Sequence, residues 1–391
     1  MFPLIVLWKE KEIKEIIGST MQIITSDKQN LAEATSQEIA PALEPVITVQ
    51  KVCKQFDKSV PTIQEISFEV QPGEIFCLLG PSGSGKSTVM RMLTGVYQPN
   101  QGYIRVLGIE PHNFTRKTRA RIGYMPQNFV LFPELSTIDN INFVASAYGM
   151  SWFGRAAKVR EALEFVNLWD ARDRLASQLS GGMRRRLDLA GVLVHRPELI
   201  FVDEPTAGID PVLRAKFWDH FKALRAEGRT LFVTTQYVTE ADHCDKVAIL
   251  SRGHLLALGS PEAVRRQAMG GAIINLKLDE VTAQALRLLR SIPGMKDILT
   301  VSPEQLRLIV EDSGQALKAI VNVFQQNNLD IQNIEPYRPD FEEVFVTLLE
   351  KDTGKLGLAT SELAPPATGL LPTENKRPPA QKQKSGQTWT E

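Results

Sequence analysis

Cysteine is scarce in this chain: 391 residues hold three, Cys53, Cys77 and Cys244, with no C-x-x-C spacing. That excludes a disulfide framework and a thiolate metal site, and it fits the reduced thiols of a cytosolic protein. Long apolar runs are missing too. The best, "FPLIVLW" at residues 2–8, falls well below the ~18–20 residues needed to cross a bilayer. No positive charge precedes it as a signal peptide requires, and "KEKEIKE" follows it. Nor is there an excess of one charge. Lys+Arg and Asp+Glu each total 45, so no global field draws the chain to nucleic acid or anionic lipid, and no nucleic-acid partner is expected. No internal repeat is found.

What is present is length and a core-forming composition, 43% hydrophobic, enough for two or three domains. Both ends read as appended. Residues 1–46 form an N-terminal extension expected to be disordered, polar and patternless from residue 9 to 45, and Met21 is an alternative start. Residues 352–391, rich in Pro, Lys, Gln, Thr and Ser, read as a disordered tail. Between them, 47–270 reads as one domain and 271–351 as a second.

The strongest local feature is "IFCLLGPSGSGKSTVMRML". An apolar strand, Ile75 to Leu79, enters a loop matching G-x-x-x-x-G-K-[ST], and a helical pattern follows with Val89, Met92 and Leu93 on one face. Gly80, Gly83 and Gly85, spaced by Pro81, Ser82 and Ser84, are expected to let successive backbone N–H groups point at phosphate oxygens. The helix N-terminus adds partial positive charge. Lys86 reaches toward the β- and γ-phosphates, and the Ser87 hydroxyl, followed by Thr88, suits Mg²⁺.

Further along, "ELIFVDEPTAGID" gives a second buried strand ending at Asp203, placed to hold Mg²⁺ through water. Glu204 follows, a carboxylate positioned to polarise a water for in-line attack on a γ-phosphate. Between the two motifs lies "LASQLSGGMRRRLDLAGVLVHRP". There Ser180, Gly181 and Gly182 make a second short phosphate-seeking turn at the start of a helix. One nucleotide does not need two cradles in one chain, so the reading is a homodimer in which each copy caps the γ-phosphate held by the other.

With these motifs together, residues 47–262 resemble the ATP-binding subunits of ABC transporters. The resemblance implies an α/β P-loop ABC ATPase fold with a RecA-like core plus antiparallel β and helical subdomains, and ATP with Mg²⁺ as the nucleotide complex. It also implies roles. Phe56 matches the aromatic that stacks on adenine, and Gly80–Thr88 the Walker A loop. Gln127 in "IGYMPQN" matches the Q-loop residue that contacts Mg²⁺ and senses the membrane subunit. "LSGGM" matches the signature, "LIFVDE" the Walker B strand with catalytic Glu204, and "AGID" the D-loop, whose Asp210 links the two sites.

Two positions depart from the family's pattern. Met183 stands where the signature glutamine is usual, and Gln236 where a histidine donates to the γ-phosphate. The amide N–H₂ of Gln236 can also donate, with no protonation state to manage. The alternative is a degenerate, slow site. Both departures, with "SGGMRRRLDLA" and "TTQY", are similar to the branch containing the daunorubicin/doxorubicin-resistance ATPases and other drivers of ABC-2 type exporters. That implies a peripheral protein at the cytoplasmic face of the membrane, partnered by an ABC-2 type permease that exports a drug, lipid or polysaccharide. Competing readings are a non-transport soluble ABC protein and a regulatory ATP-binding switch.

Beyond Pro261 the periodicity predicts strands at 272–278, "ILTV", "QLRLIVE" and "LDIQNIE", with helices at Val281–Arg290 and around Leu317, Ile320, Val321 and Phe324. The order βαββαβ points to a ferredoxin-like module, closed by "RPDFEEVFVTLL". Phe129, Leu131 and Phe132 are either contacts for a membrane partner or ordinary core. Arg184, Arg185 and Arg186 read as a solvated helix face with one or two positioning contacts, or as contacts for a membrane partner or lipid. The residues of "DHCD", Asp242 to Asp245, are adjacent rather than one helical turn apart and do not converge on a metal.

Overall fold

The computed structural model describes residues 44–57 and 61–356, so the expectations for residues 1–43 and 357–391 lie outside the described residues. A six-stranded sheet forms the centre, in the order β5 (Ile122–Met125), β6 (Leu199–Asp203), β7 (Thr230–Thr235), β3 (Ile75–Leu79), β8 (Lys246–Ser251) and β9 (His254–Gly259). The first five are parallel and β9 is antiparallel. Strand β3 shows why its sequence is an unbroken apolar run. Ile75, Cys77 and Leu79 enter the core on one face, while Phe76 and Leu78 enter the core on the other. A parallel sheet covered on both faces requires that pattern.

One cover is a three-stranded antiparallel sheet, β2 (Ile63–Val70), β1 (Ile47–Lys54) and β4 (Gln101–Val106), together with the helix Lys86–Leu93. Phe68, Phe76 and Phe232 stack between the layers, with ring centroids 5.0 Å apart for Phe68–Phe76 and 5.3 Å for Phe76–Phe232. Helices Thr137–Ala147, Arg155–Phe165, Gly181–Leu193 and Pro211–Ala226 supply residues to the other core. A short helix, Arg116–Ala120, precedes β5.

After helix Pro261–Met269, Gly270 ends the segment in a left-handed conformation, φ 83°, which glycine adopts without steric cost. The next unit is β10 (Ala272–Lys277), helix Ala283–Arg290, β11 (Met295–Ser302), β12 (Gln305–Val310), helix Ser313–Gln326 and β13 (Asn333–Tyr337). Its antiparallel sheet runs β11-β12-β10-β13, the split βαβ arrangement that the alternation implied. The last strand, Asn333–Tyr337, overlaps the end of "LDIQNIE" and runs two residues past it. Its half-exposed pattern carries little alternation to register on.

Two expected boundaries shift. The closing helix, Phe341–Leu356, leaves the small module and returns to the larger domain, where Phe341, Val344 and Leu348 complete its core. It also runs past residue 351. Thr353 is buried, and Asp352 lies 2.9 Å from His254 on β9, so these two residues belong to the folded unit rather than to the tail.

Candidate active site

Four adjacent parallel strands, β5, β6, β7 and β3, deliver their C-terminal ends to one edge of the central sheet. Each end carries a residue singled out in the sequence: Gln127 after β5, Asp203 and Glu204 at β6, Gln236 after β7, and Gly80–Ser87 after β3. Ligands of open parallel sheets bind at that edge because the loops and helix N-termini converge there.

In the loop after β3, the three glycines are required for different reasons. A Cβ on Gly80 would sit 2.2 Å from the Leu250 carbonyl oxygen on β8. Close packing against the neighbouring strand is therefore sufficient reason for glycine at this position. Gly83 and Gly85 instead take φ 79° and 109°, which only glycine accepts freely. Gly85 starts the helix Lys86–Leu93. Pro81, Ser82 and Ser84 form the loop, with Ser84 N donating to the Pro81 carbonyl. The buried Ser84 hydroxyl has no partner among the described residues. Ser87 is exposed and Thr88 half-buried on the first helical turn.

Lys86 is buried, and its ammonium donates to the Gly80 and Pro81 carbonyls at 2.8 and 3.1 Å. It also pairs with Glu204 Oε1 at 3.4 Å. The other carboxylate oxygen of Glu204 accepts from Gln127 Nε2 at 3.0 Å. Lys86, Glu204 and Gln127 are therefore linked in one chain by an ion pair and a hydrogen bond. Glu204 itself has φ 45°, a left-handed conformation that costs a non-glycine residue of order 1–3 kcal/mol and persists only when neighbours over-determine it.

Those neighbours are Thr234 and Arg185. Thr234 Oγ1 donates to Asp203 Oδ1 and accepts from Glu204 N at 3.1 Å, which ties β7 to the exit of β6. Arg185, buried on helix Gly181–Leu193, donates to the carbonyls of Asp203, Glu204 and Pro205 at 3.1, 3.1 and 3.0 Å, and to that of Pro126 beside Gln127. Arg185 is therefore buried among carbonyls rather than on a solvated face. Arg186 is also engaged, donating to Val166 and Asn167 carbonyls. Asp188, one turn on, lies 3.6 Å from Arg185. Burial, only partly offset by Arg185, pushes its carboxyl up to about 7.

The remaining candidates lie on the surface. Ser180 caps its helix by accepting from Met183 N, leaving Gly181 exposed and Gly182 against Leu213. Asp210 caps helix Pro211–Ala226 by accepting from Leu213 N. Both caps sit at helix N-termini, as anion-seeking turns do. Gln236 is exposed and its side chain makes no hydrogen bond among the described residues, so its amide is available to a ligand. Phe56 is half exposed, edge-on to Tyr97 at 5.0 Å, with Lys54 over its ring at 5.1 Å. Tyr97 was not foreseen. The apolar trio divides, since Phe129 and Leu131 pack on the core whereas Phe132 is exposed beside Phe143. In "DHCD", Asp242 engages Arg265, His243 lies against Trp218, Cys244 is buried, and Asp245 accepts from Ile75 N.

Residues 63–207 match the family model "ABC transporter". Linearmycin resistance ATP-binding protein LnrL of Bacillus subtilis is 30% identical over 308 residues, covering 78% of this chain and 98% of the relative. Daunorubicin/doxorubicin resistance ATP-binding protein DrrA of Streptomyces peucetius is 32% identical over 289 residues, covering 73% and 87%. The probable multidrug ABC transporter ATP-binding protein YbhF of Escherichia coli is 36% identical over 225 residues. That match takes in 58% of this chain but only 39% of the relative. Among solved structures, a dimeric post-hydrolysis state of the ATP-binding cassette MJ0796 bound to ADP and Pi superposes with TM-score 0.50 at 25% identity. It covers 55% of this chain and 98% of that one. By its strand-end site and by relatives matched over nearly their whole length, this chain belongs to the ATP-binding ATPases of ABC transporters, in the branch that includes drug-resistance proteins.

Proposed function

We propose that this chain is the motor of an ABC-2 type exporter. Two copies close around two ATP molecules and reopen after hydrolysis, and the work passes to separate membrane subunits that expel a drug, lipid or polysaccharide. The observation that carries the reading is the chain Lys86–Glu204–Gln127 at the strand ends, because it brings a phosphate-seeking cation, a carboxylate base and a sensor amide into direct contact. Relatives that are drug-resistance ATP-binding proteins favour export, and the dimeric cassette MJ0796 favours closure as a pair.

On this proposal Phe56 stacks on adenine, while the loop Gly80–Thr88 wraps the phosphates. Lys86 exchanges its loop carbonyls and Glu204 for phosphate oxygens. Freed from Lys86, Glu204 accepts the proton of a water as its oxygen bonds the γ-phosphorus and the bond to ADP breaks; the proton then passes to the product phosphate. Gln236 donates to the γ-phosphate and orients that water. Ser180 and Gly182 of the partner copy complete the site, with Asp210 between the two. Ser87, Gln127 and Asp203 carry the oxygen donors that a hard cation takes, and buried Asp203 is held ready by Thr234. Mg²⁺ bound there neutralises charge on the phosphate oxygens.

The test is purification of the tagged chain from gently solubilised native membranes. A stoichiometric polytopic protein is expected with it, at the cytoplasmic face. Recovery only from the soluble fraction, alone or with ribosomes, overturns the export reading and leaves the ATPase chemistry intact.

A further inference from the structure

The turn after Gln236, residues Val238–His243, is held on two sides by groups that belong to no recognised motif. On its inner side Glu240 is buried, accepts from Thr206 Oγ1 just before the D-loop, and lies 3.8 Å from Arg214 on the helix that Asp210 caps. Arg214 also covers the ring of Tyr237, the residue next to Gln236, at 4.2 Å. On its outer side Asp242 Oδ1 accepts from both Arg265 and Arg338.

Arg265 is the hub. Its side chain is 4% exposed, and each arm of the guanidinium is used. Nε donates to the Pro339 carbonyl at 2.9 Å, Nη1 to Glu262 at 3.0 Å, and Nη2 to Asp242. Its face covers the Phe341 ring at 4.4 Å. A buried planar cation satisfied this fully fixes the geometry of everything it touches, because any displacement strands a donor away from water. What it touches are the post-switch turn, the last helix of the ATPase domain, and the segment Pro339–Phe341 through which the accessory module ends. The closing helix reinforces the junction by packing Phe341, Val344 and Leu348 into the core that also takes Val238, Ala241 and Cys244.

We infer that the accessory module positions the switch residue. Arg265 and Asp242 latch the end of the module to the turn that follows Gln236, and Glu240 continues the connection to the D-loop. The inference rests on the proposed action of Gln236 at the γ-phosphate. A change in the module, whether by a partner subunit or a second copy pulling on it, is thereby conveyed to the γ-phosphate and to the dimer contact together. Arg265 and Asp242 are positioning residues, not catalytic ones, since neither reaches the strand-end site.

The test is a double-mutant cycle on ATP turnover in the full chain. Arg265→Ala unfolds the junction if its buried partners collapse, so the informative variant is Asp242→Ala, whose side chain is 35% exposed and whose loss leaves Arg265 its bonds to Pro339 and Glu262. We expect Asp242→Ala to lower kcat about tenfold with KM for ATP within about twofold, and to have little further effect in a Gln236→Ala background. A kcat equal to wild type overturns the latch. So does an equal fractional loss with and without Gln236, which makes the effect independent of the switch. If Gln236→Ala alone turns over at the wild-type rate, the role of Gln236 has failed first, and the single-variant arm identifies that.

Discussion

Replacing Glu204 by Gln should tighten ADP binding to the monomeric chain. In the structure the Lys86 ammonium sits 3.4 Å from the Glu204 carboxylate, with side chains 4% and 14% exposed. At an effective dielectric of about 20 the gross attraction across that distance is about 5 kcal/mol. Most of it is offset by the desolvation of two charges and by the hydrogen bond that a glutamine retains, leaving a net ~1–2 kcal/mol. Nucleotide must displace this pair before Lys86 can turn to phosphate, whereas its bonds to the Gly80 and Pro81 carbonyls are broken equally in both forms and cancel. The expected gain is about tenfold in Kd. ADP is the right probe because it brings no γ-phosphate to repel Glu204 and does not drive closure of an ATP sandwich. Titration of a fluorescent ADP analogue at low protein concentration reads the constant directly. A Kd within twofold of wild type, or a weaker one, refutes the account of Lys86–Glu204 as a resting pair.

Gln236→Ala should slow ATP turnover strongly and Gln236→His only mildly, since both Gln and His donate to an anion and Ala does not; steady-state phosphate release distinguishes them, and wild-type turnover in Gln236→Ala removes the proposed role. Arg185→Lys keeps a charge near Asp188 but strands several of the four carbonyls that Arg185 serves. It should cost ~2–3 kcal/mol in stability and lower kcat with little change in KM, as chemical denaturation and kinetics would show. Asp188 has a folded-state carboxyl raised to about 7, so its contribution is greatest below the unfolded value and is lost as pH rises toward 7. The stability of the wild type relative to Asp188→Asn should therefore fall by ~2 kcal/mol between about pH 5.5 and 7 and then level off, and thermal melts across that range check it.

Much of the site was legible because its chemistry is local. A phosphate loop needs its glycines, lysine and serine in fixed order after a strand, and Asp203–Glu204 and Ser180–Gly182 are likewise contiguous, so their spacing survives in one dimension. The alternating βαββαβ pattern of the module was readable for the same reason, since periodicity is a property of a single segment. Arg185 was not, because an arginine in "RRR" carries no mark of burial. Only when helix Gly181–Leu193 lies across the exits of β5 and β6 does Arg185 face the carbonyls of both strand exits instead of water. Thr234 reads as an ordinary strand residue until β7 is placed beside β6.

The order of motifs along the chain thus marked, without any structure, a candidate nucleotide loop, a candidate base and a candidate second cradle, because each is built from residues close in sequence. Tertiary structure decided the rest. It joined Lys86 to Glu204 and Gln127 across three strand ends, buried Arg185 among carbonyls, and drew the closing helix out of its module into the core beside Val238 and Ala241. Those pairings join residues far apart in the chain, and their energy comes from shared burial, which no local pattern encodes.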